Sequence, residues 1–476
     1  MQRKIIHLLA VLTLTLSCSR DYVTGKRTFN LITEDQEVAM GREADPQILA
    51  EYGVYEDEQL TAWLAGIGEE IARVSHRPNL KYTFRIVDSP VVNAFALPGG
   101  WVYFTRGILA HFNSEDELAG VLGHEVGHIV ARHGAEQLSR TQLAMLGINL
   151  GSLFSERFSR FSGLAETTVS LLFLKFSRDQ ESESDVLGVE YATRLGYDAH
   201  KMANFFHTIA RLSQKSGSSL PGFLSTHPNP ENREERVHQL AEEWRQKVAF
   251  QPRKTSREAY LRRINGIIYG QDPRQGFVEN GMFYHPVMRF KFPLPQGWSV
   301  NNTPRMVQIV SPQQDAVIQF QLADAATPDE AADAFLASTR QTVISRDDRR
   351  LRGFPAVSLE TKISSETESL RVQAWFIQKD NRVFAFYGFC ASENYKKFQP
   401  QFTRTMRGFN RETNPSVLNR KPKRVRIRTV PAQGSFESVM RRLGVRGKAI
   451  DELALLNGVE RDTVLKKGDL VKTISE

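Results

Sequence analysis

Residues 124–133 read His124-Glu-Val-Gly-His-Ile-Val-Ala-Arg-His133. Residues four apart on a helix share a face, so His124 and His128 address one point in space. Glu125 lies about 100° further round, within reach of a water held at that point. Neutral imidazoles suit zinc, and two protein ligands leave room for a third and for a reactive water. The chemistry such an arrangement serves is hydrolysis: zinc lowers the water's pKa, Glu125 takes its proton, and the hydroxide attacks a polarised carbonyl. The flanking residues predict the helix this requires. Leu118, Val121, Leu122, Val126, Ile129 and Val130 fall at helical spacing, and Ser114 with Glu117 forms a capping box that sets the start.

Two kinds of third ligand can be tested against spacing. The metzincin pattern needs Gly three residues after the second His and another His three beyond it. Ala131 and Gly134 stand there, and His133 falls one residue short, so this solution fails. The other is a carboxylate from a later helix. Ser177–Ala192 has helical periodicity, with Val186, Val189 and Ala192 on one side. It offers Glu181 and Asp185 one turn apart, with Glu183 and Glu190 as competing carboxylates.

His124–His133 followed by Ser177-Arg178, Glu181 and Asp185 resembles peptidase family M48, the zinc endopeptidases that include prenyl-protein proteases and HtpX-like heat-shock proteases. The resemblance implies one zinc per chain, with Glu181 as third ligand and Asp185 orienting a ligand histidine. Ser184 stands where the family commonly has Ala. Asn93-Ala-Phe-Ala-Leu-Pro-Gly-Gly-Trp-Val-Tyr-Phe-Thr-Arg-Gly107 resembles the family's edge strand and turn, which implies that Asn93, Ala94 and Phe95 hold an extended peptide by strand addition. Ser225-Thr-His-Pro-Asn-Pro-Glu-Asn-Arg233 resembles its His-Pro loop. By that likeness His227 sits near the metal, as a fourth ligand that swings away or as a transition-state donor. Arg233 is then an oxyanion or structural partner. The expected fold is a mainly α, zincin-like metalloprotease domain of the gluzincin type with a small edge-exposed sheet.

The first residues bear on compartment. Arg3 and Lys4 precede an apolar run, Ile5–Leu16, too short to span a bilayer and typical of a secretory signal. Thr15-Leu-Ser-Cys18 resembles a bacterial lipobox, which implies a lipoprotein signal peptide over 1–18 and a lipidated Cys18. Ser19 implies retention at the outer membrane, so the expected location is the periplasm, held by a lipid anchor. Cys390, the other cysteine, lies in the apolar run Phe384–Cys390 and reads as a buried thiol with no disulfide partner. Leu143–Phe154 and Leu164–Phe176 are apolar but short, separated by Glu156, Arg157 and Arg160, and read as an amphipathic helical hairpin over the cleft.

The 476 residues, 41% hydrophobic and 24% charged, make a globular chain of roughly two to four domains. The metalloprotease domain is expected over 19–252, with strands near Leu80–Val87 and Val102–Phe104, and a polar connector over 253–275. Period-two alternation then marks an α+β domain, 276–411, with strands at Met288–Phe292, Val317–Leu322, Val372–Ile377 and Val383–Tyr387 and helices near Pro328–Ser338 and Glu393–Met406. Phe292–Trp298 gives it a fold-level resemblance to Mog1/PsbP-type modules. After a linker, 412–423, residues 424–476 read strand–helix–helix–strand and resemble a LysM-like domain, which implies peptidoglycan as a partner. The net charge of +8 suits nucleic acid in general, but an exported chain meets none; membrane surface or cell-wall polymer is the partner expected. The function expected is a zinc endopeptidase acting on misfolded or misassembled envelope proteins. The rival expectations are a chaperone whose protease is latent and a cell-wall-anchored scaffold.

Overall fold

The computed structural model describes residues 18–25, 27–147, 175–216, 222–228, 232–338, 341–364 and 369–476. The leader through residue 17 and residues 148–174 of the expected hairpin lie outside them. The chain divides into two compact units, Met1–Gly270 with Lys423–Glu476, and Gln271–Pro422.

The first unit opens with β1 (Cys18–Arg20) antiparallel to β2 (Arg27–Phe29). Helix α1 (Glu34–Tyr52) starts at a capping box of Thr33 and Gln36, and α2 (Glu58–Val74) at Asp57, whose carboxylate accepts from Leu60 N. Strands β3 (Thr83–Val87), β4 (Ala94–Leu97) and β5 (Trp101–Thr105) form a sheet in the order β3-β5-β4, with β4 antiparallel to β5 and on the edge. The turn between β4 and β5 needs its glycines. Gly99 has φ 83°, and a side chain there would meet Glu37 O at 2.5 Å.

Helix α3 (Arg106–His111) leads into α4 (Glu115–Val130), which carries the His-Glu-x-x-His stretch. Ser114 caps α4, accepting from Glu117 N at 3.2 Å. The Glu117 carboxylate returns to Asn113 N at 2.8 Å, one residue earlier than a capping box places it. The apolar residues singled out by their spacing are all buried, and so are the polar residues between them, because α4 is covered all round. Next come α5 (His133–Gly147), α6 (Arg178–Arg194), α7 (His200–Ser216), α8 (Gly222–Thr226), α9 (Arg233–Lys247) and α10 (Arg257–Arg263). Helices α4 and α6 meet at glycines: a β-carbon on Gly188 would stand 2.9 Å from His124 N, and one on Gly123 3.0 Å from Gly188 Cα. Only hydrogen at these positions lets the two backbones approach so closely.

The second unit is β-rich. Strands β6 (Phe277–Glu279), β7 (Met282–His285), β8 (Phe290–Pro293) and β16 (Asn410–Arg411) form a sheet in the order β16-β8-β7-β6. A seven-stranded antiparallel sheet, ordered β12-β13-β14-β15-β11-β10-β9, combines β9 (Ser299–Asn302), β10 (Met306–Val310), β11 (Ala316–Ala323), β12 (Thr342–Leu351), β13 (Phe354–Ser364), β14 (Ser369–Lys379) and β15 (Arg382–Ala391). Helices α11 (Pro328–Ser338) and α12 (Tyr395–Arg407) pack against this sheet. Phe290, Phe292, Phe320, Phe384, Phe386 and Phe409 stack together at the centre of its core, which also takes in the buried thiol of Cys390. A short helix, α13 (Pro415–Leu418), precedes the return to the first unit.

Residues from Lys423 onward run β17 (Arg424–Thr429), β18 (Gly434–Ser435), α14 (Phe436–Arg442), α15 (Lys448–Leu456), β19 (Val464–Leu465) and β20 (Leu470–Ser475), with β17 paired to β20. Val425, Phe436, Val439, Ile450, Leu453 and Leu456 join the same apolar core as Leu109, Phe112 and Leu122. Lys472, fully buried, donates to the carbonyls of Ala110 at 2.9 Å and Phe112 at 2.9 Å, capping the end of α3 immediately before α4. Tyr269 N donates to Lys423 O at 2.8 Å, so the chain leaves and re-enters this unit at adjacent points. Among the described residues no helix is long and apolar enough to cross a membrane.

Candidate metal centre

His124, His128, Glu181 and His227 converge, each offering one ligand atom within 4.8 Å of the others, and all four are buried. His124 and His128 come from one face of α4, with Nε2 atoms 3.0 Å apart. Glu181 comes from the first turn of α6, which the Ser177–Gln180 capping box begins. Its carboxylate oxygens lie 3.5 Å from His124 Nε2 and 3.5 Å from His128 Nε2. His227, just after α8, places Nδ1 2.9 Å from Glu181 Oε1 and 3.4 Å from His124 Nε2. Its ring stacks on Phe223 with centroids 4.5 Å apart. Ring nitrogens this close can share a proton in pairs, but a cation among them gives every lone pair a partner at once. Three imidazoles and a carboxylate are a donor set that suits zinc, and the orphaned atoms agree: both Glu125 oxygens and His227 Nε2 are buried with no hydrogen-bond partner among the described residues. The residues present therefore fit one zinc ion.

The surrounding charges are set by the same elements. Asp185, one turn after Glu181, sets Oδ1 2.9 Å from the outer nitrogen of His124, Nδ1, a close contact without hydrogen-bond alignment. Arg233, at the start of α9, grips Asp185 bidentately at 2.7 and 2.8 Å. Its Nη2 also lies 3.2 Å from Glu181 Oε2, close enough for an ion pair though without the alignment of a hydrogen bond. Burial alone would push the Glu181 carboxyl up, but the facing His227, His128 and His124 imidazoles outweigh it and hold the group well below the usual carboxylate range. Burial pushes the Glu125 carboxyl up, against the nearby His227 and His124 rings. Glu125 Oε1 stands 3.7 Å from His227 Nε2.

Ala94 and Phe95 lie on the edge strand β4, and Asn93 immediately precedes it with a buried carbonyl oxygen, Oδ1, that has no hydrogen-bond partner among the described residues. Of the competing carboxylates, Glu190 pairs with Arg194 at 3.3 Å, and Glu183 faces His133 at 3.2 Å instead of the cluster. Of the expected hairpin, Phe176 is described: its ring stacks on His128 with centroids 3.9 Å apart.

One group of residues near the site leaves no trace in sequence spacing. After α4 the backbone of Arg132 turns left-handed, with φ 60°. Arg132 donates to Glu37 Oε1 at 2.6 Å and to Ile32 O at 2.7 Å, while Arg77 donates to Glu37 Oε2 at 3.3 Å and to Ile129 O, near the end of α4, at 3.1 Å. These buried pairs stabilise a conformation that costs a non-glycine residue about 1–3 kcal/mol. The turn brings His133 beside His128, Nδ1 to Nδ1, at 2.9 Å. On an unbroken helix a residue five positions on points about 140° away, so no periodicity rule would have placed it there.

Comparison with known proteins agrees with this geometry. Residues 58–241 match Peptidase family M48. The mitochondrial metalloendopeptidase OMA1 of Schizosaccharomyces pombe is 31% identical over 235 residues, 47% of this chain and 65% of that protein. The β-barrel assembly-enhancing protease of Escherichia coli is 29% identical over 220 residues, 44% of each chain, and its Yersinia pestis counterpart 31% over 208. The chain thus spans less than two thirds of the length of these relatives. Among solved structures, PsbP of Synechocystis aligns at 12% identity and a TM-score of 0.24, covering 27% of this chain and 91% of its own, a likeness too slight to carry a conclusion. Residues 58–241 thus resemble a peptidase domain of family M48, and within them His124, His128 and Glu181 converge where one metal ion would be held.

Proposed function

We propose that the protein is a zinc-dependent endopeptidase of the bacterial cell envelope, hydrolysing peptide bonds in misfolded or misassembled envelope proteins. The observation that carries the hydrolytic part is the convergence of His124, His128 and Glu181 beside a Glu125 whose two oxygens have no hydrogen-bond partner among the described residues. Bound zinc would supply a Lewis acid and lower the pKa of a water at the site. Glu125 would take the proton of the attacking water and pass it to the leaving amine, a task suited to a carboxyl that burial has pushed up. Asp185 holds the His124 ring, and Arg233 holds Asp185. The free side of β4 would seat the substrate as an added strand, with Asn93 marking where it enters.

The envelope assignment rests on the signal-like leader and the lipobox ending at Cys18, with relatives in the β-barrel assembly-enhancing group in support. The 424–476 segment would engage cell-wall glycan through its LysM-like order of elements. A second reading, a mostly latent protease acting as an assembly factor, is favoured by His227 alone: its Nδ1 stands among the ligand atoms, where a water would sit.

The deciding measurement is zinc content and cleavage of an unfolded protein by the chain lacking residues 1–18, with Glu125→Gln and His227→Ala alongside. Zinc-dependent cleavage abolished by Glu125→Gln establishes the peptidase. Cleavage only in His227→Ala establishes the latent form. A chain without zinc rules out both.

A further inference from the structure

The two ligand histidines of α4 are supported differently. His124 meets a carboxylate directly, through Nδ1 and Asp185. Among the described residues His128 meets no carboxylate at its Nδ1; it has His133 Nδ1 at 2.9 Å. The far nitrogen of His133, Nε2, lies 3.2 Å from Glu183 Oε2. Both rings are buried, whereas Glu183 is about a third exposed, so its charge reaches water on one side and the imidazole on the other.

Two nitrogens at hydrogen-bond distance must divide one proton between them, and the carboxylate decides how. Glu183, as an anion, only accepts, so His133 must present N–H at Nε2 and a lone pair at Nδ1. That lone pair must accept from Nδ1–H of His128. His128 is then left with its lone pair at Nε2, the atom that faces His124 and Glu181. The reverse arrangement would set a lone pair of His133 against the Glu183 carboxylate and put a proton on the ligand atom of His128. The Ser184 hydroxyl, 3.3 Å from His133 Nδ1, can donate or accept and so fits either arrangement.

We infer that His133 and Glu183 form a relay that fixes the tautomer and orientation of His128, and that they are positioning residues for the zinc ligand. This rests on the metal-site reading above. The relay also uses Glu183, a carboxylate of α6, two residues after the ligand Glu181, so one helix supplies a ligand, the partner of one histidine and, through His133, the partner of the other. The phenyl ring of Phe176 on the face of His128 fixes the ring plane; the relay fixes which nitrogen carries the proton.

The test is zinc affinity, measured on the full chain with zinc(II) by competition against a chromophoric chelator, with thermal unfolding of the metal-free protein in parallel. Glu183→Ala is expected to weaken zinc binding about 10-fold, the usual scale for losing such a partner, while leaving the metal-free unfolding temperature unchanged. His133→Asn keeps an acceptor near the position of Nδ1 but cannot reach Glu183, so in that background Glu183→Ala should have no further effect. Equal weakening by Glu183→Ala in both backgrounds would overturn the relay and leave only a general charge effect. Unchanged affinity in Glu183→Ala would overturn it outright. Failure of the unsubstituted chain to bind zinc would instead overturn the metal-site reading, and the relay with it.

Discussion

Glu125 is the residue most exposed to test, since both its oxygens are buried without a hydrogen-bond partner among the described residues and its neighbours are the metal-binding rings. Glu125→Gln keeps the shape and removes the base. Zinc content should stay at one per chain while cleavage falls by about 10²–10⁴-fold, the usual contribution of a general base. A second residue answers to pH. Burial, helped by nearby Lys472, pushes the His111 imidazole down to about 4, although its Nδ1 donates to Gly107 O at 2.8 Å. Tyr269 packs on its ring. The folded state therefore prefers neutral His111, and the associated stability is complete above the unfolded pKa of about 6.5 and is lost as pH falls toward 4. Between pH 7.5 and pH 5.5 the unsubstituted protein should lose about 1 kcal/mol more than His111→Gln, read from paired thermal melts. At this scale much of the site was legible. His124, Glu125 and His128 follow from spacing, and Glu181, Asp185, His227 and Arg233 from family likeness. His133 and the Glu37–Arg77–Arg132 group were not, because a left-handed residue and pairs between distant segments leave no periodic trace.

At the level of elements, helices α4 and α6 carry the geometry between them, and their close crossing depends on glycine. Gly188→Ala places a β-carbon 2.9 Å from His124 N, where only backbone movement makes room. The expected result is a loss of about 1–3 kcal/mol in stability, with weaker zinc binding, since separating the helices moves Glu181 from His124 and His128. An unchanged zinc affinity in that variant would mean that the crossing is less constrained than it looks. Helices with an apolar stripe and a capping residue were readable to within a few residues, as were the strands with clear alternation, such as β11 and β15. Strand β12 was not. Its sequence, Thr-Val-Ile-Ser-Arg-Asp-Asp-Arg-Arg-Leu, is exposed at nine of ten positions, so no buried face imposes alternation. It is a strand because β13 pairs with it, and its charges suit an edge that must not recruit another chain.

For the whole molecule, the arrangement that matters is the first unit's return after 152 residues of the second, Gln271–Pro422. Because Tyr269 and Lys423 are hydrogen-bonded, joining Gly270 to Lys423 through a short linker should leave a folded first unit with its zinc, checked by metal content and a single cooperative melt. Ending the chain at residue 422 should do the opposite. It uncovers the apolar core that Val425, Phe436 and Ile450 complete, so loss of function on that truncation would not by itself argue for a scaffold. Lys472→Met tests the same junction more gently. The Ala110 and Phe112 carbonyls would lose their donor, at a cost of about 1–3 kcal/mol. The Lys472 contact also has a meaning in time. Residues 110 and 472 are 362 positions apart, and synthesis proceeds at about 5–20 residues per second. A chain made only as far as His227 therefore holds all its metal ligands without the clamp beneath the helix that carries two of them, and the clamp follows about 10–50 s later. A chain assembled in this order reaches its finished form only after the intervening unit has been made, which separates the gathering of the metal ligands from the completion of the fold around them.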